Sequence, residues 1–425
     1  MNINIIARQT ESRVNSRETG IVEVRTLQTV AEVEELRSYW TSWQSHPNAD
    51  IDFFLMICGV RPEIIRPHVI VVYRDGVPDA LLVGRLEDVR IELTLGYSRL
   101  GHIRASRLAF NHGGFLGRTT FANGEVLVRE VVRSLKEGAA GVAFFSHLPT
   151  DSPLYHSAKE VPRLWSRDYA SNIQIRAHRS MTLPPSVEML YRRLPGKKRK
   201  NLKWQAKKLL ADFPNEVRIR TFCDASDLGV MFRDIEQVAQ QAYQRGLGVG
   251  FSDTEEMRSR MALSADNGWL QAHVLYISEQ PCAFWVGALY QNVFHSNFMG
   301  YDRAFAKYSP GVFLMVKVIE RFCERTGEQQ VREIDFGLGD AQYKEMLADR
   351  EWTEGSVSVY APTWAGLRIN LALTVPALVD GLAKGVFART TLLQRVKTFW
   401  RRCLAHGDKR PTSTRQSHTG KSGGT

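Results

Sequence analysis

The chain has 425 residues, of which 44% are hydrophobic, 10% aromatic and 24% charged, with a formal net charge of +11. That is the composition of a folded protein of two or three domains, and it excludes disordered, collagenous and disulfide-stapled classes. Five cysteines (Cys58, Cys223, Cys282, Cys323, Cys403) are scattered without a CxxC pair, which argues against zinc ribbons and thioredoxin chemistry and for reduced thiols in a cytosolic compartment.

The charge is concentrated. Arg192, Arg193, Lys197, Lys198, Arg199, Lys200, Lys203, Lys207 and Lys208 form a block with no acid inside it. After Val386 come nine more bases and one acid, Asp408. The rest of the chain is mildly acidic. Two basic appendages on such a body imply local contacts with anions, not a surface built for nucleic acid.

Residues 1–20 are polar and read as a flexible start with no signal peptide. From residue 21 the pattern is mixed. Residues 22–27 alternate like a strand, and 30–44 have helical spacing with Trp40 and Trp43. Residues 69–73 are a β-branched run ending in Arg74-Asp75-Gly76, a hairpin turn signal, and 80–85 return. Residues 120–137 are helical and 141–145 a strand. A linker is expected at 177–195, where Pro184-Pro185 breaks the pattern. Residues 217–220 read as a strand and 225–244 as a helix. Residues 271–277 and 281–290 form a hairpin, 293–299 a further strand, 310–326 a helix and 331–336 a strand. The order hairpin, strand, helix, strand thus occurs near 69–146 and again near 271–336, which suggests a duplicated α/β domain.

Beyond Trp364, residues 367–382 and 391–404 read as helices. The second interleaves Arg395, Lys397, Arg401 and Arg402 with Leu392, Leu393, Val396, Phe399 and Trp400, a basic amphipathic pattern suited to an anionic membrane surface or to packing on the body. Residues from 406 onward read as disordered. No apolar run is long enough to predict a spanning helix.

Two short segments carry chemistry. Ser309-Pro310-Gly311 is a helix-start signal, suited to an ordinary cap or to receiving a phosphate on unpaired N–H groups. The run Ile334-Asp335-Phe336-Gly337-Leu338-Gly339-Asp340-Ala341-Gln342-Tyr343-Lys344 places a carboxylate at a strand end, two glycines that permit positive φ, and a Lys on a short helix. Ligands bind at such strand ends in open α/β sheets.

Together, the strand, the Tyr308-Ser309-Pro310-Gly311 helix start and this run resemble the GNAT-fold acyltransferases. More narrowly they resemble the tandem-GNAT CelD-like acetyltransferases of cellulose and exopolysaccharide biosynthesis, distant relatives of the Fem-type aminoacyl transferases. The resemblance is carried by residues 188–363, with 21–176 as a degenerate first copy. It implies an α/β (α+β) fold of tandem GNAT-like domains with mixed central sheets and a helical basic C-terminal tail. The expected divisions are a start at 1–20, a first domain at 21–185, a second at 186–365 bearing the active site, helices at 366–405 and a tail at 406–425.

By the same resemblance, acetyl-CoA or another acyl-CoA is the donor, no metal is needed, and the pantetheine lies in a split between strands ending near Met299 and at Asp335. Tyr308, Ser309, Pro310 and Gly311 would hold the pyrophosphate, standing where simple GNAT enzymes carry a Q/R-x-x-G-x-G/A loop. Asp335, Asp340 and His295 are base candidates. Lys344 would orient a phosphate or the acyl carbonyl, and Tyr343 would either protonate the leaving thiolate or serve in packing. Trp285, Tyr290, Asn297 and Tyr301 are acceptor-pocket candidates, some of them equally suited to core packing. Lys197, Arg199 and Lys200, on the basic helix, would clamp a nucleotide-linked, lipid-linked or tRNA-borne substrate, or form a solvated face.

The expected acceptor is a sugar or envelope-polysaccharide precursor, with polysaccharide-synthesis machinery as a partner. The expected location is cytoplasmic, with peripheral contact to the inner membrane. The alternatives are transfer from aminoacyl-tRNA and a non-catalytic accessory role.

Overall fold

The computed structural model describes residues 21–387, apart from 96–97, 171–174, 243–249, 326, 328–329 and 340. The expected tail helix at 391–404 and Asp340 therefore lie outside the described residues.

Among these residues thirteen strands join one sheet. They are β1 (Val22–Leu27), β2 (Ile64–Pro67), β3 (Val69–Arg74), β4 (Val77–Leu95), β5 (Ser98–Gly117), β6 (Val142–Pro149) and β7 (Arg176–Thr182) in the first half of the chain. The second half supplies β8 (Val217–Phe222), β9 (Leu270–Ile277), β10 (Gln280–Tyr290), β11 (Val293–Tyr301), β12 (Glu333–Leu338) and β13 (Arg350–Tyr360). The order across the sheet is β1-β3-β4-β5-β6-β13-β7-β12-β11-β10-β9-β8, with β2 beside β4.

The path is symmetric about its middle. In each half four antiparallel strands lead to one parallel pair, β5 with β6 and β11 with β12. A helix makes each parallel crossover, Phe121–Lys136 in the first half and Pro310–Glu324 in the second. The duplicated order expected from the sequence is present. The halves then exchange strands. β7 follows β6 in the chain yet pairs with β12, and β13 follows β12 yet pairs with β6. β7 and β13 pair with each other and join the halves.

The expected linker at 177–195 is therefore not one. β7 crosses the centre of the sheet there, followed by the helix Val187–Arg193. Its sequence, Arg-Ala-His-Arg-Ser-Met-Thr, buries His178, Arg179 and Ser180 beside Met181, so the usual apolar signature of a central strand is missing. The long hairpin of β4 and β5 also exceeds the short return expected at 80–85. Its outer part alternates Val89, Ile91 and Leu93 with Arg90 and Glu92, a period-2 pattern.

Each half has its own core. The crossover helix Pro310–Glu324 buries Leu314, Met315, Val318, Ile319 and Phe322 against Phe294, Ile334 and Phe336 of the parallel pair. Each of these large side chains contributes roughly 1.5–3 kcal/mol on burial. In the first half Leu127, Val128, Val131 and Leu135 do the same against Leu108, Phe110 and Phe145. Because successive strand residues face opposite sides, the residues between these core positions face away from the helices. Ala109 and Phe144 do so in the first half, His295 and Asp335 in the second.

The C-terminal helix Trp364–Phe387 contacts β4 and β13 and leaves Leu371 and Val375 exposed. No helix among the described residues is long and apolar enough to cross a membrane.

Candidate active site

The side of the parallel pairs opposite the crossover helices forms a cleft of about 490 Å³. Both halves line it. The first supplies His46, Asn111, His112, Ser146 and His147, and the second His295, Ser296, Asn297 and Asp335. The exchanged strands add His178 from β7 and Glu354 from β13.

The cleft-facing parallel pair of the first half is Ala109 with Phe144, and that of the second is His295 with Asp335. Only the second can move a proton. Parallel pairing of β11 and β12 stops at His295–Asp335, and beyond it the strands part, leaving Ser296 and Asn297 on one lip and Gly337 and Leu338 on the other. This is the split expected from the sequence, and its apex holds the two residues.

Asp335 is fixed locally. Its Oδ1 accepts from the Gly337 backbone N–H at 2.7 Å, across a bulge that β12 makes against β7. Gly337 sits at φ 68° there, in the left-handed region that glycine enters without a Cβ penalty. His178 Nε2 reaches the same oxygen at 2.6 Å. His295 Nδ1 lies 3.3 Å from Oδ2. Burial opposes ionisation of Asp335, but the two histidines outweigh it and hold the carboxyl below the usual carboxylate range.

His178 stands between two carboxylates. Its Nδ1 is 2.9 Å from Glu354 Oε1, and its ring stacks on Trp352 at 4.3 Å. Trp352 Nε1 donates to the same Glu354 oxygen at 2.8 Å. Burial would lower the His178 pKa, but the hydrogen bond to Asp335 and the close contact with the Glu354 carboxylate raise it to about 9, which favours the imidazolium at neutral pH. Burial raises and His178 lowers the Glu354 carboxyl, with a net downward shift.

With Nδ1–H of His295 directed at Asp335, its Nε2 carries the lone pair. That atom is buried and has no partner among the described residues. Around it His46 packs edge-on at 4.8 Å. His46 Nδ1 accepts the Asn48 N–H at 3.1 Å, which places its proton on Nε2. Burial and the neighbouring histidines keep His46 neutral. His46, His295 and Asp335 have ligating atoms within 4.8 Å of one another. A cation there would need the lone pair of His46 Nε2, whereas the Asn48 hydrogen bond places a proton on that atom.

The other expected residues are placed as follows. Trp285 is fully buried, and its Nε1 donates to Ser296 Oγ at 2.8 Å. Tyr290 is buried, with its hydroxyl on Asp50 at 3.0 Å. Asn297 lies on the cleft lip, while Tyr301 is exposed outside it. Tyr343 packs against the second core, where burial pushes its phenol up to about 12. Lys344 is buried and donates to the Leu338 carbonyl at 2.6 Å and the Gly337 carbonyl at 3.3 Å, so it braces the glycine turn.

Tyr308 is buried, with its hydroxyl on Asp212 at 2.8 Å. Ser309 has φ 50°, and its hydroxyl accepts from Gln205 at 3.1 Å instead of capping the helix. Pro310 and Gly311 are buried, and a Cβ on Gly311 would meet only Tyr301 at an ordinary 3.5 Å. The helix start is thus roofed by the basic helix Gly196–Asp212. In that helix Leu209 is buried and Leu202 and Ala206 pack inward, while Lys197 and Lys200 are exposed and Arg199 is half-buried.

Cys282 is buried, its thiol pushed up to about 12 by burial, and Cys58 and Cys323 to about 11. None is a nucleophile at neutral pH. The residues that sequence reasoning missed are His46, His112, His147, His178 and Glu354. A usable signal existed for two of them, because His112 and His147 each follow an apolar strand run and a polar residue, Phe110-Asn111 and Phe145-Ser146.

Residues 196–345 match the family model described as an acetyltransferase (GNAT) domain. The chain carries a GNAT acyltransferase domain. The matched span runs from the basic helix through the crossover helix to the glycine turn, and so includes His295 and Asp335. GNAT domains use acyl-CoA donors. No curated protein matches the chain.

Among solved structures, FemX is similar at 10% identity over 79% of this chain and 96% of that one, with a TM-score of 0.49. A tandem GNAT protein from the clavulanic acid biosynthesis pathway is similar at 10% identity over 81% and 100%, with a TM-score of 0.48. The C-terminal domain of a putative lysylphosphatidylglycerol synthetase from Agrobacterium fabrum follows at 13% identity over 83% and 96%, with a TM-score of 0.45. Likenesses at this level say nothing of substrate.

Proposed function

We propose that the protein transfers an acyl group, an acetyl group in the simplest case, from acyl-CoA to an amine or hydroxyl of a sugar or envelope-polysaccharide precursor. The observation that carries this reading is the Asp335–His295 pair at the apex of the β11–β12 split, with His295 Nε2 buried and without a partner among the described residues. Acyl-CoA supplies an activated thioester. The parted edges of β11 and β12 offer backbone groups for an extended amide-bearing arm, so the residues present fit such a donor.

His295 takes the proton of the acceptor nucleophile at Nε2, and Asp335 fixes the ring and stabilises the imidazolium that results. His178, already protonated and held by Glu354, keeps Asp335 ionised throughout. His46 presents an Nε2–H into the same cleft, a hydrogen-bond donor for a polar group of the acceptor. Membership of the CelD-like branch is part of this proposal and rests on the Asp335-to-Lys344 motif.

The test is release of free CoA thiol from acetyl-CoA and longer acyl-CoAs with a panel of amino sugars and sugar nucleotides. Turnover with any acceptor, abolished in His295→Ala, supports the reading. One specific observation favours a second donor: the exposed face of the basic helix, where Lys197, Lys200 and Lys203 have no acidic partner among the described residues, suits RNA phosphates. The same panel charged with aminoacyl-tRNA decides between them.

A further inference from the structure

One wall of the cleft is built of Arg61, Arg85, Arg107 and Arg260. They come from separate elements: β4, β5, the end of the helix Ile51–Val60, and the helix Glu255–Asp266 of the second half. Two carboxylates are shared among them. Glu87, almost fully buried, takes Arg85 at 2.6 Å and Arg107 at 2.7 Å. Glu256 takes Arg61 at 2.8 Å and Arg260 at 2.5 Å. Glu63 acts on Arg61 from further off.

The arginines remain in excess. Burial, joined by the charges of Arg61 and Arg85, outweighs the Glu256 carboxylate and holds Arg260 below its usual range. The Nε–H groups of Arg61 and Arg260 are buried without a partner among the described residues. Crowded like charges with unused donors gain most from a multiply charged anion. Asn111 links this wall to the histidines: its Oδ1 accepts from Arg85, and the next residue is His112.

We propose that this wall binds a phosphate-bearing group of the acceptor, a phosphomonoester or diphosphate, and so orients the acceptor nucleophile toward His295 Nε2. The inference rests on the acyl-transfer reading above. Phosphate is favoured over carboxylate because four guanidinium forks offer more donors than two oxygens accept. The acceptor is favoured over the donor because three of the arginines come from the first half. The donor's expected helix start lies on the opposite face of the sheet, with the crossover helix.

The test is calorimetry with inorganic pyrophosphate on the full chain, on Arg107→Gln and on Arg260→Gln. Each variant leaves its glutamate one arginine partner, and thermal melts confirm that both fold. The expected result is saturable one-to-one binding that weakens about 10-fold or more in each variant and persists when the protein is saturated with CoA. If Arg260→Gln fails to fold, Arg107→Gln alone carries the test. No pyrophosphate binding to folded wild type, or equal binding in the variants, overturns the proposal. Competition by CoA, with CoA affinity falling in the variants, gives the wall to the donor and also overturns it. Acetyl-CoA binding is measured alongside: its absence defeats the acyl-transfer reading, whereas pyrophosphate failing alone defeats only the wall.

Discussion

At the scale of single residues, the proposed chemistry converges on four side chains taken from four strands: His295, Asp335, His178 and Glu354. Asp335 is oriented by its own glycine turn and by His178, and His295 is oriented by Asp335. Removing the proposed base by His295→Ala is expected to lower kcat ~10²–10⁴-fold with little change in acyl-CoA affinity. Equal losses in affinity and kcat would show a structural role. His178 makes a pH prediction. Its folded pKa of about 9 exceeds the unfolded value of roughly 6.5. The stability it contributes is therefore complete below about pH 6.5 and is lost as pH rises through about 9. Asp335 and Glu354 are lowered, so their contribution is present above about pH 4 and is lost as pH falls through their folded values. The melting temperature of wild type should fall across the alkaline window, and that of His178→Gln should not; parallel slopes would contradict the assignment. Asp335 and His295 were legible in the sequence because a carboxylate before two glycines at a strand end, and a histidine in the preceding strand, are local patterns. His178 and Glu354 were not, because they reach the site only through strands exchanged between the halves.

At the scale of elements, the position of His295 depends on how closely β10 and β11 approach. β10 is bulged between Val286 and Gly287. A Cβ on Gly287 would lie 2.5 Å from the His295 carbonyl and from the Phe294 ring. The carbonyl is backbone and cannot turn aside, so Gly287→Ala should destabilise by about 1–3 kcal/mol and reduce activity beyond the fraction unfolded. Unchanged activity in the folded fraction would show that β11 has slack. The crossover helix is the other support. Leu314→Ala should cost about 2–5 kcal/mol, read from denaturant midpoints. Helix and strand periodicity made both elements readable in advance. The roof over the Ser309 helix start was not readable, because spacing alone does not show which surface an amphipathic basic helix covers.

For the whole molecule, the duplication was legible as a repeated element order, and the exchange of β7 and β13 was not, since strand pairing across halves leaves no local trace. The exchange has a consequence for stability. Neither half completes its sheet without a strand from the other, so calorimetric unfolding of the described body should show one cooperative transition. Two separable transitions would contradict the interlocked sheet. The exchange also places His178 and Glu354 at the seam, so the second half's Asp335 and His295 work in a cleft that the first half completes. The measurement that tests this account most directly is calorimetric titration of acetyl-CoA and longer acyl-CoAs into wild type and into Asn297→Trp, which fills the lip of the β11–β12 split. The account predicts saturable one-to-one binding to wild type and its loss in the variant. Failure of every acyl-CoA to bind well-folded wild type, or undiminished binding to the variant, would contradict it.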